Sequence, residues 1–168
     1  MKKMKIAVYP GSFDPISNGH LDIIERASRL FDKVYVVVSI NILKQPLFTP
    51  TERVEMLKEV TKHLDNVVVE ETSELLIRYA EKRKANVIIR GLRNFIDYQS
   101  EMTLFQFNRK INSNIETILL FPSQDNLFLS STSIKELVVF GGDISEYVPK
   151  QLVERIKKRI EEKNFRNL

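Results

Sequence analysis

Four short segments of this chain carry residue types suited to one kind of chemistry, and each follows an apolar run. Behind Ile6–Tyr9 comes Pro10-Gly11-Ser12-Phe13-Asp14-Pro15-Ile16-Ser17-Asn18-Gly19-His20. Behind Val34–Ile40 comes Asn41-Ile42-Leu43-Lys44-Gln45-Pro46. Arg90-Gly91-Leu92-Arg93 follows Val87–Ile89, and Pro122-Ser123 with Ser130-Ser131-Thr132-Ser133 follows Ile115–Phe121. Three of the five glycines, one of the two histidines, two arginines and a hydroxyl cluster thus stand at the ends of apolar runs. Arginine offers phosphate a two-pronged donor fork. A hydroxyl-rich helix start is a ready anion site, and glycine lets backbone approach a ligand closely. No paired carboxylates of the kind used in general acid–base work stand there, so the chemistry indicated is the binding and stabilisation of negative charge.

Positioning these segments calls for a regular scaffold, and the hydrophobic pattern supplies one. The runs Ile6–Tyr9, Val34–Ile40, Val67–Val69, Val87–Ile89 and Ile115–Phe121 read as five buried strands. Leu21, Ile24, Ala27, Leu30 and Phe31 recur at helical spacing. Thr49-Pro50-Thr51-Glu52 is a capping box with proline at the first helical position, opening a helix that ends near Leu64. Further helices are expected from Ser73 as a cap through about Lys84, from Phe95 to Asn112, from Ser133 to Phe140, and from Pro149 with Leu152, Ile156 and Ile160 on one face. Strands apolar throughout, alternating with helices, predict an α/β fold. The expectation is a single Rossmann-like domain over residues 1–168, with a five-stranded parallel sheet, helices on both faces and C-terminal helices. Ligands of such sheets lie beyond the carboxyl ends of the strands, where the four segments fall.

Composition narrows the function classes. Cysteine is absent, which excludes a disulfide framework, a thiolate nucleophile and Cys-liganded zinc or iron–sulfur sites. The net charge of +4 permits an anionic ligand without requiring nucleic acid. Lys157, Lys158 and Lys163 are interleaved with Glu154, Glu161 and Glu162, the pattern of a solvated helix face, so no nucleic-acid partner is expected. The apolar start is too short for a secretory leader, and no run approaches a membrane span. A cytoplasmic protein with no membrane partner is the expectation.

Gly11-Ser12-Phe13-Asp14-Pro15 with Ser17-Asn18-Gly19-His20 resembles the (T/H)xGH motif of the nucleotidyltransferase superfamily, and Ser130-Ser131-Thr132-Ser133-Ile134-Lys135 resembles its ISSTxx(R/K) signature. Ile89-Arg90-Gly91-Leu92-Arg93, together with Asn41, Lys44 and Pro46, is similar to the bacterial phosphopantetheine adenylyltransferase family. The resemblance runs from Lys5 to about Pro149. It implies transfer of AMP from ATP to 4′-phosphopantetheine, with Mg²⁺ as cofactor, no metal held by protein residues of its own, and a homohexamer. It implies catalytic roles for His20, Lys44 and Arg93. ATP contacts are implied for Ser12, Phe13, His20, Gly91, Leu92, Arg93, Glu101, Asn126, Leu127, Phe128, Leu129, Ser130, Ser131 and Thr132. Contacts to phosphopantetheine are implied for Ser12, Lys44, Leu75, Leu76, Arg90 and Asn108. The sequence departs from the family pattern at Ile42, where proline is common, at Ser100, where tyrosine is usual, at Asn126, where an aromatic is common, and at Leu129, where isoleucine is usual.

Each residue also has a plainer reading. Without the resemblance, Lys44 and Glu101 would be solvated charges, Leu75 and Leu76 core, and the serines an ordinary helix cap. His63 illustrates the plain case, near a helix end and in no motif. Asp14 is open between metal ligand and turn residue. Two other activities are weighed: a superfamily relative acting on nicotinate mononucleotide or glycerol phosphate, which would lack the Arg90–Arg93 match, and a nucleotide-binding regulator without turnover, against which His20, Lys44 and Arg93 argue.

Overall fold

The β-branched run Lys33–Ser39 pairs on both edges and forms the second strand of a five-stranded parallel sheet. The computed structural model describes residues 4–40 and 45–163. Its strands are β1 (Ile6–Gly11), β2 (Lys33–Ser39), β3 (Val67–Thr72), β4 (Val87–Gly91) and β5 (Glu116–Leu120). The helices are α1 (Asn18–Leu30), α2 (Pro50–Thr61), α3 (Leu76–Lys82), α4 (Phe95–Ile111), α5 (Ser131–Val139) and α6 (Val153–Glu162), with short 3₁₀ turns at Gln124–Asn126 and Lys150–Leu152. The strand order is β3-β2-β1-β4-β5. The chain builds outward from β1 to β3, then crosses to β4 on the other side of β1. That reversal places the crevice expected of such a sheet beyond the carboxyl ends of β1 and β4.

Alternate strand residues feed two cores. Ala7, Tyr9, Val34, Val36 and Val38 face a large cluster with Ile23, Ile24 and Ala27 of α1, Met56, Leu57 and Val60 of α2, Ile134 of α5, and Ile156 and Ile160 of α6. Val8, Val37 and Ile88 face a smaller one with Ile77, Tyr79 and Ala80 of α3. The predicted α/β architecture with helices on both faces is what the chain forms. Leu152, Ile156 and Ile160 are buried together, as their spacing requires.

Local expectations are corrected in four places. Ser73 caps nothing: α3 starts at Leu76, and its N-cap residue Leu75 makes no side-chain cap bond. β3 continues past Val69 through Glu70 and Glu71, because its backbone stays paired with Val37 and Val38 of β2. The ladder, not the apolar run, sets that strand's length. β5 is an edge strand with Glu116 and Ile118 exposed, not a fully buried one. α1 starts at Asn18, three residues before the apolar periodicity, because Ser17 caps it. That extra turn brings Gly19 and His20 into the helix.

One helix stands apart. Among the described residues of α4 only Glu101 is buried, while Phe95, Ile96, Leu104 and Phe107 are exposed.

Candidate active site

Beyond the ends of β1 and β4 lies a cavity of about 410 Å³. It draws Ser12 and His20 from the segment after β1, and Arg90, Gly91 and Arg93 from the end of β4. Glu101 comes from α4, and Asn126, Leu129, Ser130, Ser131 and Thr132 from the approach to α5. These implied residues are therefore gathered in one place.

The first side of the cavity is the start of α1. Ser17 is its N-cap, and His20 stands where a capping box ordinarily carries glutamate. The Ser17 backbone N–H donates to His20 Nδ1 at 3.1 Å, and Ser17 Oγ accepts from the His20 N–H at 3.3 Å. A nitrogen that accepts from a backbone amide carries no proton. The neutral ring therefore bears its hydrogen on Nε2, leaving an N–H donor for the cavity. Burial, reinforced by the positive charge of Arg93, lowers the His20 pKa to about 4, so the ring is neutral at physiological pH. Phe13 steadies this ring edge-on, with centroids 5.1 Å apart. Phe13 itself is buried in the left-handed backbone region at φ 49° and does not line the cavity. A Cβ on Gly11 would meet the Phe13 ring at 2.8 Å, so packing alone demands that glycine. Gly19 differs: a Cβ there would find only ordinary contacts at 3.5 Å, so its neighbours within the chain do not require it.

The second side is the Arg90–Arg93 segment, and α4 engages both arginines. Glu101 takes Arg90 by two parallel bonds, Nε to Oε2 at 2.7 Å and Nη2 to Oε1 at 2.8 Å. Asp97, one turn earlier on the helix, takes Arg93 Nε at 3.0 Å and Nη2 at 3.2 Å, while Arg93 Nη1 donates to the Leu129 carbonyl at 2.9 Å. Glu101 is thus the counter-ion of Arg90 and only 9% exposed. Each guanidinium keeps N–H groups beyond those its carboxylate occupies. Gly91 stands between them, with Ile23 Cδ1 3.0 Å from where its Cβ would be.

The third side is the start of α5. Ser130 Oγ accepts from the Ser133 N–H at 2.9 Å, and the Ser130 N–H donates to Ser133 Oγ at 3.0 Å, a complete capping box. Ser131 Oγ donates to the Pro15 carbonyl at 2.9 Å, tying α5 to the first segment. Two of the three predicted hydroxyls are therefore spoken for. The backbone N–H groups of Ser131 and Thr132, like that of Gly19 on α1, find no acceptor among the described residues. Two helix N-termini thus present open donors to one cavity.

Other implied residues lie elsewhere. Leu92 is buried, its N–H bonded to the Leu120 carbonyl at 2.9 Å. Phe128 packs edge-on against Tyr147 and is exposed, and Leu127 does not line the cavity. Leu75 is exposed at the start of α3, Leu76 packs on the smaller core, and Asn108 lies two turns beyond Glu101 on α4; none reaches the cavity. Lys44 lies outside the described residues. Sequence reasoning missed Tyr9, which read as part of a buried strand, and also Ile23 and Asp97. Asp97 had a signal: it stands four residues after Arg93 and four before Glu101.

Asp14 resolves toward structure. Its Oδ1 accepts from the Phe48 N–H at 2.8 Å, and its Oδ2 from the Leu47 N–H at 2.8 Å and from Lys135 Nζ at 2.9 Å. Both oxygens are taken. With Asp97 and Glu101 also paired, the described residues offer no cluster of three free metal donors.

The cytidylyltransferase-like family model matches residues 8–137. A phosphopantetheine adenylyltransferase of Caldanaerobacter subterraneus subsp. tengcongensis is 47% identical over 156 residues, 93% of this chain and 98% of that protein. Among solved structures, one from Vibrio parahaemolyticus, provisionally named a nicotinate-nucleotide adenylyltransferase, superposes with a TM-score of 0.70 at 22% identity, covering 92% of this chain and 99% of that one. A lipopolysaccharide core biosynthesis protein of Thermoplasma volcanium gives 0.54 at 22% identity, covering 72% and 98%. The two structures share the fold. On the family match and the near full-length likeness, this chain belongs to the phosphopantetheine adenylyltransferases of the cytidylyltransferase-like family.

Proposed function

We propose that the chain transfers AMP from ATP to 4′-phosphopantetheine, giving dephospho-coenzyme A and pyrophosphate. An oxygen of the acceptor phosphate forms the new bond to the α-phosphorus of ATP, and the bond from that phosphorus to pyrophosphate breaks. The attacking phosphate is already anionic, so no general base is required. The observation that carries the reading is the cavity's convergence of donors: Arg90 and Arg93 on one side, the open N-termini of α1 and α5 on the others. Preorganised donors of this kind hold two anions together and stabilise the charge that develops as the α-phosphorus is attacked.

In this reading His20, as an Nε2–H donor, and Arg93, held by Asp97 and Leu129, stabilise the transition state, joined by Lys44. Arg90 takes the acceptor's phosphate. The α5 N-terminus with Ser130, Ser131 and Thr132 takes the β- and γ-phosphates, and Asn126 and Leu129 stand near the nucleoside. Mg²⁺, when bound on the triphosphate, supplies further charge neutralisation. The same reading makes the protein cytoplasmic and a homohexamer acting through one domain per chain. The exposed apolar residues of α4, Phe95, Ile96, Leu104 and Phe107, support self-association. Sedimentation velocity tests that assembly, and a monomer at micromolar concentration rejects it.

The decisive assay follows pyrophosphate release from ATP with 4′-phosphopantetheine, nicotinate mononucleotide or glycerol phosphate as acceptor. Fast release is expected with 4′-phosphopantetheine alone. Equal or faster release with nicotinate mononucleotide overturns the assignment.

A further inference from the structure

Tyr9, two residues before the carboxyl end of the central strand, lines the cavity, and its ring behaves as core. It is 4% exposed, belongs to the larger cluster, and meets Phe13 edge-on with centroids 5.5 Å apart. Phenylalanine would satisfy every one of those contacts. The hydroxyl is the part that packing does not explain. Among the described residues it has no hydrogen-bond partner, yet no enclosed polar atom is left unsatisfied, so the oxygen retains access to the cavity that Tyr9 lines. A buried phenol normally finds a partner. Gly91 faces it: a Cβ there would sit 3.6 Å from Tyr9 Oη. The absence of that side chain leaves the way to the hydroxyl clear.

What surrounds the hydroxyl defines what it can meet. Burial holds the phenol above its ordinary pKa, so it is a neutral O–H group at physiological pH. The lining side chains with spare hydrogen-bonding capacity are mainly donors. Arginine has no acceptor, and His20 presents Nε2–H. The nearby carboxylates are engaged by the arginines. The missing partner is therefore an acceptor brought by a ligand, and among arginines that acceptor is an anionic oxygen.

We infer that the Tyr9 hydroxyl donates a hydrogen bond to a phosphate oxygen of a bound substrate, at the floor of the cavity beside Arg90 and Arg93. The assignment rests on the adenylyl-transfer reading for its two phosphate-bearing ligands, the triphosphate of ATP and the phosphomonoester of the acceptor.

Tyr9→Phe removes the donor and keeps the ring. Calorimetric titration of the full-length wild type and variant with ATP, with pyrophosphate and with 4′-phosphopantetheine separates the sources. A Kd weakened ~10-fold or more is expected for one of them. Weakening toward ATP and pyrophosphate assigns the triphosphate, and weakening toward 4′-phosphopantetheine alone assigns the acceptor. Unchanged Kd values with a ~10-fold lower kcat place the same bond in the transition state and also support it. The rise in Tm that each ligand produces is measured alongside, so a change in basal stability cannot pass for a binding effect. Unchanged Kd values, ligand-induced Tm shifts and kcat overturn the inference, as does a lower basal Tm with binding and turnover intact. If wild type binds ATP and pyrophosphate but does not turn over 4′-phosphopantetheine, the proposed activity fails, while Tyr9→Phe is still judged on those two affinities.

Discussion

His20 shows how a single hydrogen bond sets a side chain's chemistry. The Ser17 amide claims Nδ1, which fixes the tautomer and turns the ring's one proton toward the cavity. In ¹⁵N-detected NMR of the ligand-free protein, His20 is expected as the Nε2–H tautomer, titrating near pH 4 rather than 6.5. A midpoint near 6.5, or the Nδ1–H form, contradicts this geometry. His20→Ala is expected to lower kcat ~100–1,000-fold, more than it raises KM, with the fold retained by circular dichroism. Near-normal kcat would reduce His20 to a capping residue. Asp14 carries the opposite lesson. Its place between glycine and proline in a ligand-facing segment invites a metal, but three donors already satisfy it.

Among the elements, α4 contributes most to the site and least to the core. It carries Asp97 and Glu101 on one face, one turn apart, and so orients both arginines. Arg93 is partly exposed, so its ion pair with Asp97 adds little to stability. Asp97→Ala is therefore expected to change Tm by no more than ~2 °C. It should lower kcat/KM ~10-fold, because Arg93 is no longer held in one orientation. Asp97→Asn, which keeps one acceptor, should recover part of that loss, and full activity in Asp97→Ala would show that Leu129 suffices to place Arg93. On α5 the test is the cap. Ser133 bonds Ser130 from the helix's first turn and does not line the cavity. Ser133→Ala removes the bond to the Ser130 N–H but keeps its own N–H on Ser130 Oγ, and should cost ~0.5–1 kcal/mol by urea unfolding; an unchanged midpoint would mean that this half of the capping box contributes nothing.

Across the fold as a unit, a few charged contacts join distant segments, and pH should reveal them. Asp14 links the segment after β1 to Leu47 and Phe48 and to Lys135 of α5. Asp14→Ala leaves Lys135 and two buried amides without their acceptor and should destabilise by ~3–5 kcal/mol, with no change in Mg²⁺ dependence of the residual activity. A shifted Mg²⁺ requirement would return Asp14 to a metal role. Glu52, capping α2, accepts from Arg159 of α6 at 3.0 Å, and that bond is the chief reason its pKa is lowered to about 2. A carboxylate depressed in the folded state stabilises above its unfolded pKa and loses that contribution as pH falls from about 4.5 toward 2. His20 acts in a higher window. The unfolded ring binds its proton near 6.5 and the folded ring near 4, so stability declines as pH falls between those values. Urea midpoints measured from pH 7 to pH 3 should fall in both windows. Glu52→Gln should flatten the lower part and His20→Ala the upper, and unchanged slopes would remove these groups from the account.

The strands and most helices were legible in the sequence because their causes are local. A β-branched run such as Val34–Val38 favours extended backbone wherever it lies, and Ser17 or Thr49 caps the helix it precedes. The placing of Ser12, His20, Arg90 and Arg93 at or just after the ends of β1 and β4 follows from the same local reading, and so does the donor character of their side chains. Contacts between separated parts of the chain were not legible. Glu101 looked like a solvated carboxylate, and only the fold-back of α4 over the end of β4 brings it to Arg90. Asp14 meets Lys135 from 121 residues away. Tyr9 fits a strand's apolar pattern as well as any phenyl ring, and its hydroxyl gains meaning only where β4 lays Gly91 opposite it. Residue type and short-range periodicity determine what each segment can do. The order of the strands decides which segments meet, because hydrogen-bonded pairing and side-chain packing act only between groups already brought within a few ångströms.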